Sequence, residues 1–209
     1  MKRAPKERPP LHLVYVFIYE MMGSIILHLG MGLSAPHKPE LKYMHSLAIF
    51  VALALTDQIC IAHFNIAITI PMLLYLKKFK KNLSVFFVLT LAEIFGGFIG
   101  MIIVHLLVEQ VDINEVRPRV EMKPHQIMAV EATMTFILVA VALNLKFNKK
   151  GSSPSNILEA MVSMITVGSL SMLGGNYTGS FNNPNLALVI ACSNALRARS
   201  FGLTKTANY

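Results

Sequence analysis

Apolar residues along the chain gather into long unbroken stretches instead of alternating with polar ones, and these stretches fall into two length classes. Five of them, residues 11–31, 43–62, 83–108, 126–145 and 157–173, approach the roughly 20 residues that carry an α-helix across a bilayer. Two more are about half as long. "NIAITIPMLLYL" begins at Asn65 and "NPNLALVIACSNAL" at Asn183. Each opens on an Asn, whose side-chain oxygen caps a helix N-terminus. Apolar runs of about 10–14 residues suit re-entrant segments better than spans.

The order of these stretches is a repeat: two spans, a half-helix and a span, then two spans and a half-helix, with the second copy one span short. Three spans separate the two starting points, so the copies are inverted in the membrane. The two half-helices then aim their N-termini, with free N–H groups and positive dipole ends, at one point near mid-bilayer. The charge bias agrees with this topology, one side receiving eleven Lys and Arg and the other eight.

Composition supports the membrane reading: 54% of residues are hydrophobic and 14% charged, with a mean hydropathy of +0.55. The net charge of +8 is assigned to topology and not to nucleic-acid binding. Cys60 and Cys192 lie in apolar stretches without metal-ligand or redox spacing and read as small hydrophobes. "MKRAPKERPP" runs into an apolar stretch with no small-residue cleavage site, so the N-terminus is expected to be retained. The expected organisation is a basic segment over 1–10, a transmembrane domain over 11–196 and a polar tail over 197–209. No nucleophile–base pair, phosphate loop or metal spacing appears in the sequence, which points away from an enzyme and predicts neither cofactor nor metal.

The segments resemble the aquaporin (major intrinsic protein) family across nearly the whole chain. "EMMGSIILHLG" is similar to the family's Glu-x-x-Gly-Thr opening, "AEIFGGFIG" to Ala-Gln-x-x-Gly-Ala-x-x-Gly, and "EATMTFILV" to Glu-x-x-x-Thr-Phe-x-Leu-Val. "AHFNIAITI" resembles the first Asn-Pro-Ala box and "TGSFNNPNLAL" the second. The resemblance implies an all-α membrane fold of five spans and two re-entrant half-helices, with the sixth span missing, capped by Asn65 and Asn183 at the pore centre. It also implies that Glu20 and Glu131 accept N–H bonds from the loops leading into the half-helices.

Departures from the family pattern change the functional expectation. In the first box Ile66 replaces Pro ahead of Ala67, returning an N–H that needs an acceptor. In the second, Asn183 and Pro184 remain while Asn185 stands where Ala is expected, adding a carboxamide at the narrowest point. Leu186 occupies the position where the family's filter, which Ser180 would flank, places Arg, so the filter cation is missing. Glu93 stands where the family has Gln and is expected to make the same bonds when protonated, and Asp57 is a further carboxylate within a span. Together with the absent sixth span, these departures predict a non-conducting structural subunit that contacts other membrane subunits of a larger complex and membrane lipids. A large energy-transducing complex of a mitochondrial inner membrane would suit such a chain. The alternative is a channel for water or a small neutral solute, completed by a partner helix or by oligomerisation.

Overall fold

The computed structural model describes residues 12–33, 43–56, 59–60, 62–75, 79–107, 121–147, 156–175 and 177–206, with side chains left out at 79–81 and 197–206. The expected basic segment, Asp57 and the end of the expected tail lie outside the described residues.

Among the described residues seven helices follow in order: α1 Leu13–Leu33, α2 Met44–Thr56, α3 Ile66–Tyr75, α4 Phe79–Leu107, α5 Pro124–Phe147, α6 Asn156–Gly174 and α7 Pro184–Thr206. Four of them, α1, α4, α5 and α6, are long and apolar enough to cross a membrane. Their outer faces carry large apolar side chains, with Leu106 79% and Phe136 72% exposed. In a bilayer such faces meet lipid, and helices then associate through close contact and internal hydrogen bonds.

Helices α1 and α4 pack backbone to backbone. The buried stripe of α1 runs Val16, Glu20, Gly23, Ser24, Leu27, His28 and Met31, the three-to-four spacing of one helix face. Opposite it, a Cβ added at Gly96 would meet the Met21 carbonyl oxygen at 2.4 Å, and one at Gly100 the Ile25 oxygen at 2.9 Å. These two glycines, four residues apart, let the backbones touch. Within that stripe, Gly23 leaves room for the Phe64 ring, whose Cε1 would stand 2.1 Å from an added Cβ.

Two elements depart from the sequence expectation. The second span, described as helix over Met44–Thr56, is no longer helical at Ile59 and Cys60, before the expected boundary at 62. Its last turn closes when Ile59 and Cys60 N–H both donate to the Thr56 oxygen, at 2.8 and 2.9 Å. Beyond that turn the Glu20 carboxylate takes the backbone donors that a longer helix would have used. At the other end, α7 continues as one helix from Pro184 through Thr206, where a half-helix followed by a polar tail was expected. Residues 197–206 contain Arg, Lys, Ser and Thr but no Pro, so nothing in the backbone interrupts the helical ladder.

Gly96→Ala should lower the thermal midpoint of the purified protein by several degrees. Overpacking costs about 1–3 kcal/mol, and a change of 1 kcal/mol moves the midpoint by roughly 2–4 °C in a chain of this size. Gly168→Ala is the control: its Cβ would sit 3.4 Å from Ser46, an ordinary contact, and the midpoint should hold.

Candidate functional site

The two half-helices α3 and α7 are led in by loops of the same backbone design. Ala62 (φ 54°) and Phe64 (φ 50°) are left-handed three residues and one residue before Asn65. Ser180 (φ 51°) and Asn182 (φ 50°) hold the same two places before Asn183. Left-handed φ at non-glycine residues persists only where surrounding structure fixes it. Each loop here is held by one carboxylate. Glu20 Oε1 accepts His63 N–H at 2.9 Å and Phe64 N–H at 2.5 Å, while Cys60 Sγ lies 3.8 Å from Oε2. Glu131 accepts Asn182 N–H at 3.2 Å through Oε2 and the Thr178 hydroxyl through Oε1. Each carboxylate thus accepts backbone N–H from the loop that leads into one half-helix.

Each Asn serves its own helix and the opposite loop. Asn65 Oδ1 accepts Ala67 N–H at 2.9 Å, the first turn of a helix that Ile66 opens. Asn183 Oδ1 accepts Asn185 and Leu186 N–H at 3.1 and 3.3 Å, with Pro184 at the first helical position, where no N–H is needed. Asn65 Nδ2 donates to the Asn182 oxygen and Asn183 Nδ2 to the Phe64 oxygen, both at 2.8 Å. The two half-helices are thus clasped N-terminus to N-terminus, and both Asn are buried. A carboxamide carries two N–H donors. One from each Asn goes to the opposite loop, and both residues line a cavity.

That cavity has a volume of about 70 Å³, room for several water molecules at roughly 10–15 Å³ each. One wall is apolar, with Ile49, Leu53, Ile68 and Leu138, while Asn65 and Asn183 project from the clasp. His45 lies at its α2 end; at the other end Lys146 of α5 and Glu159 of α6 form an ion pair at 3.5 Å.

Other residues singled out in the sequence fall outside the cavity lining. Leu186 is fully buried in an apolar cluster with Met31, Met101, Val104, Phe181, Val189 and Ile190. Ser180 is buried as well: its hydroxyl donates to the Leu170 oxygen at 2.9 Å and accepts from Asn182 Nδ2 at 2.8 Å. Asn185, expected at the narrowest point, does not line the cavity either. One turn further along α7, Val189 packs against Gly97 of α4, so the face they share is turned toward that helix. Both polar side-chain atoms of Asn185 are buried without a hydrogen-bond partner among the described residues. Glu93 is fully buried on α4, where Oε1 accepts the Thr69 hydroxyl at 3.4 Å and its backbone oxygen accepts Ser24 Oγ at 2.7 Å. Oε2 has no partner among the described residues.

No group of three or more potential metal ligands occurs among the described residues, and neither cysteine forms a disulfide. The Lys146–Glu159 pair was not singled out from sequence. Its signal was available in a Lys at the last turn of one span facing a Glu in the first turn of the next.

A family model described as "Major intrinsic protein" matches residues 12–194. Among solved structures, the fold is similar to the X-ray structure of the aquaglyceroporin from Plasmodium falciparum. The TM-score is 0.77 at 20% identity, over 90% of this chain and 83% of that one. No curated protein matches the sequence.

Two substitutions separate the clasp from its surroundings. Asn65→Ala removes a cap worth about 0.5–2 kcal/mol and strips the Asn182 oxygen of a donor, a further cost of about 1–3 kcal/mol. The thermal midpoint should fall. Asn185→Ala removes two buried polar atoms that bond to nothing described, and should raise the midpoint, because an unsatisfied group costs about 1–3 kcal/mol.

Proposed function

Because the chain belongs to the major intrinsic protein family, we propose that it passes water or a small neutral solute across the membrane along the cavity between its half-helices. The observation that carries this reading is the Asn65–Asn183 clasp, which fixes two carboxamides, each bearing two N–H donors, at the cavity wall. A molecule shedding water of hydration meets those donors opposite an apolar wall. The N-termini of α3 and α7 converge at the same point, and their positive dipole ends disfavour cations there.

A second reading, a non-conducting structural subunit bound to other membrane proteins and lipid, is favoured by Leu186. At the filter position the family's Arg is replaced by an apolar side chain that packs away from the cavity. A mitochondrial inner-membrane complex belongs to that reading alone.

Osmotic shrinkage of proteoliposomes decides between the two. The purified chain should raise permeability to water or to one of a panel of small uncharged solutes above that of empty vesicles. Empty-vesicle rates for every solute, with the protein shown to be folded, would defeat the transport reading. Leu186→Arg should lower the yield of folded protein without raising flux. It would place a cation in an apolar cluster, at a cost of about 2.5–3.5 kcal/mol on membrane-insertion scales.

A further inference from the structure

His63 lines the cavity, while Thr69 of α3 and Glu93 of α4, which stand behind it, do not. Glu20 fixes the backbone of His63 by accepting its N–H at 2.9 Å. The ring is held separately: Nδ1 lies 3.0 Å from the Thr69 hydroxyl oxygen, which lies 3.4 Å from Glu93 Oε1. Thr69 and Glu93 are both fully buried, so bulk water does not compete for these contacts. With Nδ1 engaged by a residue outside the lining, the ring nitrogen left for the cavity is Nε2.

A hydroxyl has one proton to give, and the Thr69 hydroxyl has three neighbours within reach. The Asn65 carbonyl oxygen, at 3.2 Å, already accepts Ile68 and Thr69 N–H at 2.9 and 3.0 Å, which fills its two lone pairs. The proton therefore goes to His63 or to Glu93, and the choice reverses the whole chain. If Glu93 is a carboxylate, it accepts from Thr69, Thr69 accepts from Nδ1–H, and Nε2 is bare. If Glu93 is a neutral acid with its proton on Oε1, it donates to Thr69, Thr69 donates to Nδ1, and the ring carries its proton on Nε2. Glu93 Oε2 makes no hydrogen bond among the described residues, so a carboxylate would be a membrane-buried charge with one oxygen outside any bond, a costly arrangement. The Asn65 N–H that faces the carboxyl is served equally by the C=O of the acid.

We infer that Glu93, acting through Thr69, fixes the hydrogen-bonding character that His63 shows to the cavity: the imidazole is held with its proton on Nε2, so a solute meets a donor there and must bring an acceptor, a hydroxyl or carbonyl oxygen. Glu93 is a positioning residue in this scheme and touches no solute. A carboxamide in its place keeps the arrangement, because its N–H donates where the acid's O–H did. An apolar side chain does not.

The inference rests on the cavity being a solute path, but its test is read without transport. The full chain is labelled with ¹⁵N at histidine, and the ring signals of His63, identified by their loss in His63→Gln, report which nitrogen carries the proton. The Nε2–H form should exceed the Nδ1–H form by about tenfold or more, the ratio expected where the other choice leaves a buried polar group unpaired. Glu93→Met and Thr69→Val should each lower that ratio by about tenfold, for the loss of one such bond, and Glu93→Gln should keep it. A ring of the unaltered chain protonated on Nδ1, alone or together with Nε2, would overturn the inference. So would a ratio that neither Glu93→Met nor Thr69→Val moves, or a Glu93→Gln chain that behaves like Glu93→Met. Should Glu93→Met fail to fold, Thr69→Val, nearly unchanged in shape, gives the same reading. A held Nε2–H tautomer together with empty-vesicle permeability would keep the role of Glu93 and remove only the transport reading.

Discussion

Two carboxamides, exchanged between halves of the chain, hold its centre together. A half-helix that stops inside a bilayer exposes backbone groups that neither lipid nor its own turns can satisfy. Asn65 and Asn183 answer that constraint twice over, each oxygen closing its own helix and each nitrogen closing the other's loop. Neither half is complete without the other. The long helices can be read as the frame that brings these two short ones to the same depth.

Around the clasp, satisfaction of polar groups is uneven, and the unevenness is informative. Glu20 and Glu131 each accept at least two donors from the loop they face. By contrast Glu93 and Asn185, both departures from the family's pattern, leave atoms unpaired among the described residues. The unpaired atoms of Asn185 lie where α7 faces α4, that of Glu93 lies where α4 meets Thr69 of α3, and Asn182 Oδ1 in the loop entering α7 is unpaired among the described residues as well.

Much of this was legible in the sequence. The spans that became α1, α4, α5 and α6 follow from uninterrupted apolar runs, and the half-helices from short runs behind an Asn. What escaped was set by contacts distant in sequence. Length alone could not show that the chain leaves the helix before residue 62, where the Glu20 carboxylate on another helix holds His63 and Phe64 N–H. Nor could spacing reveal which way Asn185 and Leu186 turn, since a small rotation of α7 would exchange cavity for α4. The ion pair of Lys146 and Glu159 lay in plain view but carried no motif, and only the convergence of α5 and α6 made it part of the lining.

The span of the carboxylate contacts bears on the order in which the chain can assemble. Glu20 precedes the first amide it holds by 43 residues and Glu131 precedes Asn182 by 51. During synthesis from the N-terminus, each acceptor thus leaves the ribosome before the backbone it must bend into left-handed geometry. Every mould is made ahead of its casting. The exchange between Asn65 and Asn183, reaching across 117 and 119 residues, can close only after Asn183 has emerged, so the centre of the molecule is among the last parts to set.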